Sequence, residues 1–396
     1  MDRHHPAEPA ADLTRHLDFA HDPVAIVGVM PKGGGALGSA AATSPQSRLR
    51  RASLANGNTA SMSTARTTID FDRTGKQVGF VDIPHSPHED AWGATRIPIA
   101  VIANGRGPTV ILQAGNHGDE YEGPITLGEL IRELDPGMVS GRIIFLPAIN
   151  VPAVLAGRRT SPVDGLNLNR TFPGDPAGTI TQQISAYVSD VVMPLAQAYV
   201  DLHSGGSSLN ILPSAIIEPA PDPVHRKRNI DAVLAFDAPL TVVIDNLGEP
   251  RTSTATSVRA GLTTVGTEMA GAGTVSLDAL AICRRGVRNV LGHFGVLPPT
   301  GETPEARPEN ILRIPGHDGY VLATTDGVFE PFHALGATVH AGQAAGRIHN
   351  LANPAREPET VFYLSDGIVY GRRQPGRVVI GNCCVTVARR YEGELA

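Results

Sequence analysis

From about residue 67 to about residue 300, short apolar runs alternate with stretches of helical periodicity. Residues 78–83, 96–102, 109–114, 142–147, 199–203, 240–244 and 262–268 read as strands, because each is a run of β-branched and aliphatic residues closed by turn formers. Apolar positions three and four apart predict helices near 125–134 and 180–198, and a further apolar segment lies at 232–236. Strands alternating with helices predict an α/β sandwich around a largely parallel or mixed sheet. Beyond about 310 the helical pattern stops, and pieces such as 319–323, 326–330, 336–343 and 346–348 predict a small β domain. The first sixty residues have neither period. They are rich in Ala, Ser, His, Gly and Arg and are expected to be disordered, unless Met62 is the true start. Arg48, Arg50 and Arg51 lie among serines there, but Asp2, Glu8, Asp12, Asp18 and Asp22 argue against a transit peptide. The expected organisation is therefore a leader over 1–61, a catalytic domain over 62–310 and a β-rich domain over 311–396.

Composition narrows the partners. With 41% hydrophobic and 18% charged residues and a net charge of -6, nothing global favours nucleic acid or an anionic membrane. No uninterrupted apolar run approaches the ~20 residues of a membrane-spanning helix. Of the cysteines Cys283, Cys383 and Cys384, the adjacent pair is poorly placed for a disulfide, which fits a reducing cytoplasm. The glycine rhythm after 310 resembles the folded hammerhead of biotinyl and lipoyl carrier domains. That region has no lysine to carry a prosthetic group, so it is expected to shape a site rim or an oligomer contact instead.

The candidate chemistry sits where strands end. The run 109–114 breaks into Gly115-Asn116-His117-Gly118-Asp119-Glu120, an imidazole and a carboxylate three residues apart. Those donors suit zinc, whose catalytic sites take three protein ligands and leave one position open. Asp201-Leu202-His203-Ser204-Gly205-Gly206 offers a third ligand in His203, with Asp201 on the same strand face to orient an imidazole. The plainer alternative for these histidines is a hydrogen-bonded or solvated side chain. Residues 158–174 form a turn-rich loop with Arg158, Arg159, Arg170, Asn167 and Asn169. Guanidinium groups pair bidentately with carboxylates, although the same loop could simply face water. Glu268 closes an apolar strand and enters a glycine-rich turn, where it could face a cleft and shuttle protons or remain a surface carboxylate. His117, Glu120, His203 and Glu268 all fall at strand carboxyl ends, the place where α/β sheets bind ligands.

In combination, His117-x-x-Glu120, Asn169-Arg170, His203 and Glu268 resemble the succinylglutamate desuccinylase and aspartoacylase family, which is related to zinc carboxypeptidases. The resemblance runs from about residue 67 to the C-terminus. It implies a zinc-carboxypeptidase-like α/β/α sandwich with a mixed central sheet and a small C-terminal β domain. Residues 115–124, 160–170 and 271–276 are similar to one subfamily, the N-alpha-acetyl-L-2,4-diaminobutyrate deacetylases of ectoine catabolism. The resemblance further implies one Zn2+ per subunit on His117, Glu120 and His203, with Glu268 as proton shuttle. Arg159 would stabilise the oxyanion, with Arg158 as its competitor, and Asn169 and Arg170 would hold the substrate carboxylate. The implied partner is a small N-acetyl amino acid, deacetylated to acetate and an amine, and a homo-oligomer is left open. Alternatives are another N-acyl-amino-acid deacylase, a zinc carboxypeptidase, or a metal-binding protein without activity. No residue can be assigned from the sequence to the substrate's distal ammonium.

Overall fold

In this computed structural model residues 64–301 and 308–393 are described, so the expected leader over 1–61 and the start at Met62 lie outside them. The strands that position the site in the first part of the chain are β1 (Gly75–Pro84), β2 (Ala94–Asn104), β3 (Thr109–Ala114), β4 (Gly141–Leu146), β5 (Ala198–His203), β6 (Leu209–Ile211), β7 (Ser214–Ile217), β8 (Leu240–Val243) and β9 (Thr263–Glu268). Later come β10 (Ile311–Arg313), β11 (Gly367–Arg373) and β12 (Cys383–Arg390). The helices are α1 (Glu122–Glu133), α2 (Val151–Ala156), α3 (Ile180–Tyr187), α4 (Pro223–Phe236), α5 (Ser253–Arg259) and α6 (Leu277–His293).

These strands form one large sheet in the order β1-β2-β4-β3-β5-β9-β7-β8-β10-β12-β11. Its centre is parallel from β4 through β3 and β5 to β9, whereas β1, β2 and β7 run antiparallel to their neighbours on that side. The sheet is mixed, as the alternating pattern predicts. β3 is buried at all six positions, and its side chains divide by a period of two. Val110, Leu112 and Ala114 face a core shared with Leu127 and Leu130 of α1, Val233 and Phe236 of α4 and Val287 and Leu291 of α6. Ile111 faces the opposite core with Ile180, Ile184 and Tyr187 of α3. Helices thus cover both faces, the α/β/α sandwich expected from the sequence.

Some elements differ from their sequence patterns for local reasons. The helix expected over 180–198 ends as α3 at Tyr187 and tapers through a π turn and a 3-10 turn, Met193–Leu195, where Pro194 has no N–H to continue the ladder. α4 starts well before its apolar segment, because Asp222 accepts from the His225 N–H and Pro223 suits the first turn. α6, capped by Ser276, and the four-residue β7 carry no pattern singled out in the sequence.

Beyond the expected boundary between 310 and 311, backbone pairing continues. β10 pairs parallel with β8 and antiparallel with β12, while β6 pairs with β11. The strands Gly327–Pro331, Ala344–His349, Glu359–Phe362 and Arg377–Val378 make a separate four-stranded antiparallel sheet over a core that includes Phe329, Ile348 and Val361. Ile211, Ile216 and Val242 share a further core with Leu312, Tyr370 and Ala388. Among the described residues no helix is long and apolar enough to cross a membrane.

Candidate metal centre and cleft

His117 and Glu120 occupy a tight loop between β3 and α1. A Cβ on Gly118 would lie 1.9 Å from the Ala153 carbonyl oxygen, so only glycine lets this loop press against α2. The Gly118 N–H donates to the Arg158 carbonyl (2.8 Å), tying the loop to the segment 158–174. Asp119 points the other way, and its Oδ2 accepts from the N–H and hydroxyl of Ser207, both at 2.7 Å. Because β3 and β5 are parallel neighbours, with Ala114 beside Leu202, both loops emerge at one edge of the sheet.

There the two histidines flank one carboxylate. His117 Nδ1 is 2.6 Å from Glu120 Oε1, and His203 Nδ1 is 2.8 Å from Glu120 Oε2. The far ring nitrogens face oxygen acceptors: Asp201 Oδ2 at 3.0 Å from His203 Nε2, and Asn167 Oδ1 at 3.1 Å from His117 Nε2. An acceptor behind Nε2 keeps the proton there and turns Nδ1 inward as the donor atom for a cation. Asp201 is itself fixed by Gln113 Nε2 at 3.2 Å and by the Ser253 hydroxyl. Burial works against the charge on Glu120, but the imidazoles of His117 and His203 outweigh it and hold the carboxyl well below the usual range. Burial also opposes ionisation of Asp201, and His203, Ser253 and Gln113 together outweigh it there. Possible ligand atoms of His117, Glu120 and His203 all lie within 4.8 Å of one another. A buried carboxylate between two imidazoles, each steered from behind, suits a divalent metal ion.

The centre lies in a cleft open to solvent, whose walls include His117, Glu120, Arg159, Asn169, Arg170, His203 and Glu268. All seven sequence candidates are therefore brought together. Glu268 lies beside His203 across the β5–β9 register, and its Oε2 is sealed from solvent without a hydrogen-bond partner among the described residues. Burial, reinforced by the charge of Glu120, pushes its carboxyl up to about 7. Arg159 Nη1 is 3.4 Å from His117 Nδ1 and 3.8 Å from Glu120 Oε1, whereas Arg158 offers its backbone carbonyl to Gly118 and does not line the cleft.

The loop 158–174 is anchored rather than merely solvated. Asp164 accepts from the Thr181 N–H (2.9 Å) and hydroxyl (2.8 Å), and Leu168 and Phe172 are buried. Asn169 Oδ1 accepts from the Ser253 N–H (2.9 Å), and Arg170 Nη1 donates to the Asn169 carbonyl (2.6 Å). The cleft also contains a residue absent from the sequence candidates. Glu218, just past β7, lines it with Ile216, Ile244, Asn246 and Thr254. Its one sequence signal is weak: the short run 214–217 is followed by an acid, as 263–267 is followed by Glu268.

Known proteins share this arrangement of chain. Residues 106–294 match the succinylglutamate desuccinylase/aspartoacylase catalytic domain. The N-alpha-acetyl-L-2,4-diaminobutyric acid deacetylase of Halomonas elongata is 38% identical over 325 residues, covering 82% of this chain and 95% of that protein. The crystal structure of a succinylglutamate desuccinylase/aspartoacylase from Rhodobacter sphaeroides is similar at 41% identity, with a TM-score of 0.79 over 84% of this chain and 100% of that one. A product-bound structure of the ectoine utilization protein EutE (DoeB) from Ruegeria pomeroyi is 38% identical, with a TM-score of 0.79 over 83% of this chain and 99% of that one.

Proposed function

The chain belongs to the succinylglutamate desuccinylase/aspartoacylase family, and from that premise we propose that it is a zinc-dependent deacylase of N-acetylated amino acids. The proposed reaction hydrolyses N-alpha-acetyl-L-2,4-diaminobutyrate to acetate and L-2,4-diaminobutyrate. The observation that carries the reading is the meeting of His117, Glu120 and His203 with Glu268 and the arginines Arg159 and Arg170 in one cleft.

Each residue then has a task its surroundings support. His117, Glu120 and His203 hold one zinc ion, with Asp201 keeping the His203 ring in its orientation. Zinc bound there supplies a Lewis acid that polarises a carbonyl and lowers the pKa of water towards about 7. The Glu268 carboxylate takes the proton of the attacking water and returns it to the departing amine nitrogen as the amide C–N bond breaks. Its burial favours the protonated carboxyl that the second transfer requires. Arg159, beside the ligands, meets the negative charge that develops on the acyl oxygen. Asn169 and Arg170 hold the α-carboxylate and so fix the amide relative to the metal centre. The β-rich stretch 311–393 braces this end of the cleft: the Tyr370 hydroxyl lies 2.6 Å from Ser214 Oγ, and Ser214 pairs with Glu268.

Metal analysis together with amine release from a substrate panel tests the proposal. The panel is N-alpha-acetyl-L-2,4-diaminobutyrate, N-acetylaspartate, succinylglutamate and short peptides. One zinc per chain and fastest release from the first compound are expected. Preference for peptides would replace the proposal with a zinc carboxypeptidase, and bound metal with no release would make the chain a binding protein.

A further inference from the structure

Two buried acids at the metal centre, Glu120 and Asp201, have their bonding capacity engaged. Glu120 sits between the Nδ1 atoms of His117 and His203 and accepts from the Ser204 N–H, and Asp201 accepts from Gln113, His203 and Ser253. Glu218 differs. It is only 7% exposed, its described hydrogen bond is from the Thr254 hydroxyl to Oε2 (2.9 Å), and no described cation forms an ion pair with it. Leaving a buried carboxylate without a cation is costly, and Asp245 adds further negative potential. Burial accordingly pushes the Glu218 carboxyl up to about 7, against the smaller opposing effects of Thr254 and Arg259.

The position of this acid explains why it could be left unpaired. β7 and β9 run antiparallel, with Ser214 beside Glu268 and Ile216 beside Gly266. Glu218 therefore lies four residues along from the level of Glu268, ~14 Å of extended strand. Both side chains line the same cleft. Gly266 leaves the floor between them clear; a Cβ there would already stand 3.2 Å from Ile216 Cβ. Ile216 and Ile244 supply apolar wall beside Glu218, suited to a short methylene chain that ends in a charge.

We propose that Glu218 is the seat for the side-chain ammonium of the substrate, so that the cleft selects N-acetylated diamino acids over neutral and acidic ones. This assignment rests on the deacylase reading of the metal centre. The ammonium supplies the cation that the fold withholds, and the hydrogen bond from Thr254 fixes the carboxylate that receives it. An acidic side chain at the same place meets like charge and is rejected, a selectivity built from repulsion as well as attraction.

The test compares the zinc-loaded enzyme with Glu218→Gln on two substrates, N-alpha-acetyl-L-2,4-diaminobutyrate and N-alpha-acetyl-L-2-aminobutyrate, which lacks the ammonium. The wild type should prefer the first, and the substitution should cut the ratio of kcat/KM values by about tenfold or more, chiefly through KM. Calorimetric binding of the products, L-2,4-diaminobutyrate and L-2-aminobutyrate, should lose its preference in parallel. Glu218→Asp, which keeps the charge, should retain part of that preference. A ratio that Glu218→Gln leaves unchanged overturns the assignment, as does a wild type that cleaves both substrates equally well. A wild type that cleaves neither overturns the deacylase reading on which the assignment rests.

Discussion

Around the metal centre, Glu120 lies between two imidazole Nδ1 atoms and accepts from a backbone N–H, and Asp201 joins His203 to Gln113 and Ser253; at the other end of the cleft, Glu218 accepts one hydrogen bond from Thr254. The two regions share walls and a sheet but solve opposite problems. Ligands must be held still before a metal arrives, so their positions are set by groups behind them that are themselves set. A group meant to receive a transient partner must keep capacity in reserve, at a cost to the empty fold. Glu268, beside the ligands yet with Oε2 unpartnered, belongs with Glu218 in this respect. A group that moves a proton must be free to do so.

The largest expected effect separates holding metal from using it. Glu268→Gln should leave zinc content intact while kcat falls by about 10²–10⁴-fold. Turnover near the wild-type rate would remove Glu268 from the proton transfers, and loss of zinc would move it into the bonded group. Next comes Asp201→Asn, which weakens the acceptor behind His203 Nε2 while preserving shape. Zinc affinity, measured by competition with a chelator, should drop about 10–100-fold. Unchanged affinity would mean that the bonding around Asp201 holds the fold and not the ligand.

The smallest effect concerns stability at the reserve end. Glu218 titrates near about 7 in the folded chain, above the ordinary carboxylate range, so the folded state binds its proton more tightly than the unfolded state does. That linkage favours the fold fully at pH below the unfolded value and is lost as pH rises through about 7. Asp245 and Arg259 act on the same carboxyl in opposite senses, and Thr254 bonds to it. Glu218→Gln should therefore raise Tm modestly at about pH 8 and leave little gain near about pH 4, as scanning calorimetry would read. A lower Tm at the higher pH would make Glu218 a structural brace and erase the contrast between the two ends.

How much of this could be read from the chain depends on how far each signal reaches. β3, β5 and β9 stand out because strands covered on both faces are rich in aliphatic and β-branched residues, and the acids and histidines at or just past their ends then stand out as well. β7 and α6 do not. Four residues carry too little pattern to separate strand from loop, and the face of α6 with Cys283, Val287 and Leu291 is interleaved with Arg284, Arg285 and Arg288. The Glu218 wall of the cleft was hidden for the first of these reasons.

The sequence by itself determined the alternating sandwich, the strand-end positions of His117, Glu120, His203 and Glu268, and the arginine-bearing loop, since burial and turn formation act over a few neighbouring residues. Tertiary structure alone decided which ring nitrogens face inward, that Arg159 and not Arg158 enters the cleft, and that Glu218 is left without a cation. Those outcomes depend on groups brought together from distant parts of the chain, such as Ser253 against Asp201 and Thr254 against Glu218, and no local pattern encodes a contact across such a separation.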